Sequence, residues 1–246
     1  IIYSDVKREY FKTEDEYISE EGADIYANDI AKYVNKLGID VVSFPCDDQI
    51  ADNLKKYKPC MVLNLVDSVR GQSNLGASVI GLLEIMGIPY TGAGTLGWSI
   101  GTNKYLMYQL MQANGIPVPT HQLISSYTEM IDPELRYPLF PKLNIEHSSI
   151  GIDENSICEN EKQLRFKVKE LIDKYHQPIL IDEFIAGIEV TAAVLDSVNT
   201  KVYSVQRKTG TETREDVMTF DKKWKNWDNI IYEKYDTPNL KEYVKK

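Results

Sequence analysis

Apolar residues recur along the chain in short blocks whose spacing switches between the strand and the helix pattern. After a polar opening, Ile25, Ile30, Ala31 and Val34 fall near helical spacing between Gly22 and Lys36, and Gly38 supplies a stop that tolerates a left-handed backbone. Ile39 to Phe44 then reads as a strand. Cys60 to Val66, short and rich in Val and Leu, reads as a buried parallel strand. A turn-rich segment, Asp67 to Asn74, leads to the helical block Ala77 to Met86 and on to Gly87-Ile-Pro-Tyr-Thr-Gly92. Strand, helix and strand in alternation predict βαβ units on a parallel sheet. Farther on, the spacing predicts a helix over Thr102 to Ala113, closed by Asn114-Gly115 before the extended Ile116 to Thr120. A strand over Tyr137 to Leu143 follows, then a helix over Glu161 to Tyr175 with Leu164, Val168, Leu171 and Ile172 on one face. Pro178 to Ile185 and Glu189 to Leu195 read as two strands joined through Ala186-Gly187. The pattern shows no internal repeat.

At 246 residues and 43% hydrophobic, the chain carries enough apolar material for two or three subdomains. A formal net charge of −9 removes any general electrostatic drive toward nucleic acid or an anionic membrane, so a small-molecule partner is expected. No apolar run approaches the roughly 18 residues that span a bilayer, and no charged-then-apolar leader opens the chain; a cytoplasmic protein is expected. Cys46, Cys60 and Cys158 are odd in number and widely spaced, which fits reduced core thiols better than bridges or metal ligands.

Candidate chemistry lies in four places. Lys104 sits in the first turn of its helix, where the dipole disfavours a cation. Lys142 ends a strand and is followed by the small-residue loop Glu146-His-Ser-Ser-Ile-Gly151, whose Ser148, Ser149 and Gly151 offer hydroxyls and closely approaching amides to a polyphosphate. Asp182, Glu183 and Ile185 form a strand end whose backbone can read the edge of a base, and Glu189 follows at a distance suited to ribose hydroxyls. Gly92 to Gly97 is glycine-rich but lacks the dinucleotide fingerprint and its acidic ribose ligand, so it reads as a linker between domains. From these residues alone, a polar β-hairpin with a serine turn accounts for the pattern equally well.

Tyr137-Pro-Leu-Phe-Pro-Lys142, Glu146-His-Ser-Ser-Ile-Gly151 and Ile181-Asp-Glu-Phe-Ile-Ala-Gly-Ile-Glu189 resemble the core of the ATP-grasp ligases related to D-alanine–D-alanine ligase. Leu83 to Gly92, Asn103-Lys104 and Gly115 to Pro119 resemble the same family in the same order, so the likeness covers roughly residues 60 to 195. The resemblance implies an ATP-grasp fold of mixed α/β and α+β class with an amino-terminal Rossmann-like domain. Its parts would be residues 1–97, a central subdomain 98–187, and the start of a carboxy-terminal subdomain 188–246, apparently incomplete. It implies ATP and magnesium, an acyl-phosphate intermediate, and an amino acid substrate, with a homodimer left open.

Carried over residue by residue, Lys104 and Lys142 match the phosphate-contacting lysines and Ser148 to Gly151 the loop above them. Asp182, Glu183 and Ile185 match the adenine stretch, and Glu189 the ribose acid. Lys142, Ser149 and Lys223 form the expected catalytic set, and Glu21 and Trp224 the expected substrate contacts; Glu14, Glu16 and Glu20 are rivals to Glu21 for the substrate ammonium. A lid is expected within Arg207 to Trp227. The sequence departs from the family in three ways. The amino-terminal glycine-rich loop is not visible, His147 stands where the family has glycine, and Trp224 stands where it has tyrosine. Nothing after Asp196 matches the family's magnesium-binding segment, so the metal ligands are expected beyond Lys246 and the chain as given is expected to bind ATP without completing ligation. The competing expectations are a ligase for another amino or hydroxy acid and a non-catalytic ATP-binding module.

Overall fold

The computed structural model describes residues 1–187, 189–195, 201–208, 217–226, 228 and 230–234. The amino-terminal unit is built on a parallel sheet in the order β2-β1-β3, with β1 at Ile2–Ser4, β2 at Phe44–Cys46 and β3 at Asn64–Leu65. Val62 adds a parallel bridge to Tyr90. α1 (Glu14–Ile18) turns toward later residues, with Ile18 against the core that includes Leu171 and Ile179 and Asp15 accepting from Lys174 and Tyr175, while α2 (Ala23–Asn35), α3 (Ile50–Tyr57) and α4 (Gly76–Ile85) lie around the sheet. Thr13 and Glu16 close a capping box at the start of α1, and Gly22 opens α2 in the left-handed conformation at φ 85°. Ile2, Phe44, Leu54, Val62, Val66, Val79 and Leu83 make the core of this unit.

Two expectations change here. The strand expected over Ile39 to Phe44 is shorter and later, because only Phe44 and Cys46 turn into the core while Ile39 and Val42 are exposed. The stretch before Gly22 is no plain polar opening: Ile2 is fully buried at the centre of the parallel sheet. Of the cysteines, Cys46 and Cys158 are buried and Cys60 is exposed, so the core reading holds for two of the three.

The glycine-rich stretch expected as a linker becomes helical at α5 (Thr95–Gly101). Packing explains the difference. The Trp98 indole donates to the carbonyl of Ser73 at 3.1 Å and lies against Gly76, where a Cβ would come within 2.6 Å of the ring. That contact ties α5 to α4 and carries the chain into α6 (Lys104–Ala113).

The central unit is an antiparallel sheet in the order β4-β6-β5, with β4 at His121–Ile124, β5 at Leu139–Leu143 and β6 at Ile179–Glu183. Against one face packs α7 (Glu161–Tyr175), whose limits match the expected helix. Asn160 caps its start by accepting from the amide of Gln163, and Leu164, Val168, Leu171 and Tyr175 bury the face that meets Leu139, Leu143, Ile179 and Ile181. A third antiparallel sheet, β7-β8-β9, runs through β7 (Val190–Leu195), β8 (Lys201–Lys208) and β9 (Ile231–Lys234). Between β8 and β9 comes the short α8 (Phe220–Trp224). Of the lid expected in Arg207 to Trp227, residues 209–216 and Trp227 lie outside the described residues. No helix among the described residues is long and apolar enough to cross a membrane.

Candidate functional site: a cleft floored by Lys142 and Asp182

Strand register builds the floor. In the antiparallel pairing of β5 with β6, Phe140 lies opposite Asp182 and Lys142 opposite Leu180. Because side chains alternate along a strand, Leu139, Leu143, Ile179 and Ile181 turn toward α7 and leave Lys142 and Asp182 together on the other face. There the Lys142 ammonium pairs with the Asp182 carboxylate and also donates to the Tyr108 hydroxyl at 2.9 Å. Tyr108 in turn donates to Asp182 Oδ2 at 3.0 Å. Burial works against the charge on Lys142, but Asp182 and Tyr108 outweigh it and raise the lysine's pKa. The other carboxylate oxygen, Asp182 Oδ1, is buried without a hydrogen-bond partner among the described residues. It is an acceptor waiting for a donor.

Lys104 reaches the same cleft from the start of α6. Asn103 caps this helix by accepting from the Leu106 amide at 3.1 Å, and the Asn144 side chain accepts from Tyr105 N at 2.9 Å, which fastens the helix end to the strand end. The Lys104 ammonium donates to the carbonyl of Leu143 at 3.0 Å and to that of Glu146. Burial first, then the charge of Lys142, pulls its pKa down to about 8. A lysine held this way gains from any anion that arrives.

Above the floor, Ser148 and Ser149 are both left-handed, at φ 60° and 62°, and Gly151 follows at φ 77°. A Cβ on Gly151 would lie 2.8 Å from Leu171 Cδ2, so glycine is required for space as well as for conformation. Among the described residues, no acceptor meets the amides of Ser148, Ser149 and Gly151. Two successive left-handed serines are costly for a loop with no use for the geometry. The Trp224 indole donates to the Ser148 carbonyl at 3.0 Å, holding α8 to the loop, and Lys223 lies exposed with its ammonium 5.7 Å from the Trp224 ring centre.

Beyond Asp182, the Glu183 carboxylate accepts from the Arg136 amide at 2.9 Å. Ile185 is 68% exposed beside this strand end, and its amide has no acceptor among the described residues. Glu189 is exposed just ahead of β7. The acidic residues before α2 sort clearly. Glu14 pairs with Arg8 at 3.0 Å, Glu16 serves the α1 cap, and Glu21 is exposed and accepts from the Tyr17 hydroxyl at 3.0 Å. Glu20, not Glu21, is the buried one: it accepts from Ser68 Oγ at 2.8 Å, with the charges of Asp67 and Glu146 bearing on it. Burial, the largest cause, pushes its carboxyl up to about 7.

These residues fit ATP. Asp182 Oδ1 and the Ile185 amide, neither with a partner among the described residues, offer one acceptor and one donor, which an adenine edge, with its exocyclic amine and ring nitrogens, satisfies. The two lysines and the open loop amides suit a polyphosphate. For magnesium the fit fails among the described residues, since no three His, Cys, Asp or Glu side chains converge to hold a metal. Sequence reasoning missed Tyr108, which sits one helical turn after Lys104 on the same face, the one cue that pointed to it.

A helix end and an antiparallel sheet that bring two lysines together at the start of a serine loop, with a further sheet following in the chain, fit the ATP-grasp class. The fold comparison agrees. The crystal structure of D-alanine–D-alanine ligase from Bacillus anthracis complexed with ATP superposes with a TM-score of 0.67 at 18% identity, over 99% of this chain and 73% of that one. A family model described as the D-ala D-ala ligase C-terminus matches residues 110–244, more than half of the chain. The chain belongs to the D-alanine–D-alanine ligase family. Among its relatives, a D-alanine–D-alanine ligase of Carboxydothermus hydrogenoformans is 33% identical over 172 residues, which are 67% of this chain and 53% of that protein. One from Pseudomonas entomophila is 32% identical over 168 residues, 68% of this chain and 51% of that protein. The chain thus spans about half the length of the curated relatives it matches.

Proposed function

We propose that the protein is an ATP-dependent ligase that joins a carboxylate to an amine through an acyl phosphate, with D-alanine as both partners. The observation that carries this reading is the partly buried Lys142–Asp182–Tyr108 cluster, whose Asp182 Oδ1 has no donor among the described residues, next to a serine loop in which the amides of Ser148, Ser149 and Gly151 meet no acceptor among the described residues. ATP lies in that cleft, adenine against Asp182 and Ile185, ribose toward Glu189, and phosphates beneath Ser148, Ser149 and Gly151.

Attack of a carboxylate oxygen on the γ-phosphorus brings two anions together and releases ADP as the bridging P–O bond breaks. Lys104 and Lys142 and the loop amides offset that repulsion and hold the groups in line. The amine nitrogen then attacks the acyl carbon, phosphate leaves with its oxygen, and the amine sheds a proton. Glu20, buried beside Ser68 and the loop entry, is the group proposed to hold the first substrate's ammonium, in place of Glu21. Ser149 and Lys223 are proposed to face the transferred phosphoryl group, and Trp224 to wall the amine side. Magnesium is proposed to enter with the nucleotide. The domain limits near residues 97 and 187 and a cytoplasmic site of action belong to the same proposal.

The test is a stoichiometry. Incubated with magnesium, ATP and D-alanine, the intact protein is expected to release one ADP and one phosphate for each D-alanyl-D-alanine formed, and a panel of other amino and hydroxy acids ranks the alternatives. ADP release that no amino or hydroxy acid accelerates would exclude ligation and leave a nucleotide-binding module.

A further inference from the structure

His147 stands at the point where the serine loop meets the amino-terminal unit, and the phosphate-binding role given to that loop makes no use of it. Its imidazole spans two hydroxyls. Nδ1 lies 2.9 Å from Ser148 Oγ within the loop, and Nε2 lies 3.5 Å from Ser73 Oγ in the amino-terminal unit. Both ends of this bridge are anchored. Ser73 is buried ahead of α4, and its carbonyl accepts from the Trp98 indole at 3.1 Å. Ser148 is held from the other side by the Trp224 indole at 3.0 Å, and α8 is itself docked where Phe220 N donates to the Ile152 carbonyl at 2.9 Å. A continuous chain of contacts therefore runs from α5 through Ser73, His147 and Ser148 to α8.

The loop needs such an anchor. With Ser148 and Ser149 both left-handed, its preferred conformation in isolation is a different one, and each left-handed serine is costly to hold. A neutral imidazole, donor at one nitrogen and acceptor at the other, can bridge two hydroxyls because each hydroxyl takes either part. The surroundings keep the ring neutral: burial is the largest cause of its lowered pKa, the charges of Lys104 and Lys223 act in the same direction, and Asp67 opposes them. Glu146 precedes it in the loop, with the charge of Glu16 bearing on Glu146 and those of Asp67 and Glu146 bearing on Glu20.

We propose that His147 is a positioning residue that clamps the serine loop to Ser73 of the amino-terminal unit, so that docking of that unit sets the geometry of the loop's phosphate-binding donors. Glycine at this position leaves the loop without the clamp. The consequence for nucleotide affinity rests on the ATP reading of the cleft; the clamp itself does not.

Two readouts on the intact protein separate these. The first is amide hydrogen exchange of the peptide covering residues 146–152 without nucleotide, in wild type, His147→Gly, His147→Gln and Ser73→Ala. Protection is expected to drop in the glycine and alanine variants and to return in His147→Gln, whose amide again presents a donor and an acceptor. The second is the ATP dissociation constant by calorimetry. Loss of the clamp is expected to raise it about tenfold, the equivalent of one hydrogen bond of about 1.4 kcal/mol, equally in His147→Gly, Ser73→Ala and the double variant, because the two residues act as one unit. Unchanged loop exchange in Ser73→Ala, or losses from the two single variants that add in the double, would overturn the clamp. A wild type that shows the exchange pattern but binds no ATP would overturn the nucleotide reading and leave the clamp standing.

Discussion

Replacing Lys142 by alanine is expected to destabilise the protein by about 3–5 kcal/mol, the usual result of removing one partner from a buried ion pair. The reason lies in what stays behind. Asp182 is only 4% exposed, and among the described residues one of its oxygens has no donor and the other would keep only the Tyr108 hydroxyl in the variant. Adding Asp182→Asn to Lys142→Ala is expected to recover part of the loss, because the charge goes with it. The same lysine supplies a charge-assisted contact to the nucleotide, and its removal is expected to weaken ATP binding by about 1.5–3 kcal/mol. Urea unfolding of the three proteins, with calorimetric titration of those that fold, gives both quantities. A Lys142→Ala protein as stable as wild type would mean that Asp182 is neutral or solvated in the folded state.

The second large effect has the opposite sign. Glu20→Gln is expected to stabilise the protein by about 2–3 kcal/mol at pH 8 and to change little at pH 4.5. Burial raises the Glu20 carboxyl from an ordinary value near 4.5 to about 7, against the opposing bonds from Ser68 and Ser4. A raised folded pKa means that the folded state holds its proton more tightly than the unfolded chain. Its contribution is therefore complete below about 4.5 and is lost as pH rises through about 7. Above that, the ionised carboxylate weakens the fold, and glutamine removes the penalty while still accepting from Ser68. A group kept at such expense suits a cationic substrate, so the stabilised variant is expected to lose affinity for the amino acid. Chemical denaturation across pH 4.5 to 8.5 checks the slope. A variant that is less stable than wild type at pH 8 would show that the ionised carboxylate is bonded rather than isolated.

The extent to which this fold was legible in the sequence follows from how many residues encode each element. α7, fifteen residues with a clear apolar face and an asparagine cap, was legible to the residue. β1, three residues long, carries too little pattern to be read, although Ile2 is among the most buried side chains. The glycine-rich stretch before α5 was misread because its helix is secured by Trp98 against Ser73 and Gly76, contacts that span some twenty residues and leave no local trace. Within the site, the lysines, the loop and the Asp182 stretch were legible as an ordered set of motifs. Which of the neighbouring acids is buried, Glu20 rather than Glu21, was not, because the contact with Ser68 reaches across the fold. Tyr108 and the bridge made by His147 depend on the same kind of information.

The most direct test of the central claim is a calorimetric titration of the intact protein with ATP and, separately, with GTP. Asp182 Oδ1 offers an acceptor and the Ile185 amide a donor, which suits the amine of adenine and opposes the carbonyl that guanine presents at the same place. The account predicts that ATP binds at least about tenfold more tightly than GTP, the equivalent of about 1.4 kcal/mol or more, and that Asp182→Asn narrows the gap. Equal affinity for the two nucleotides, or no binding of either, would contradict it.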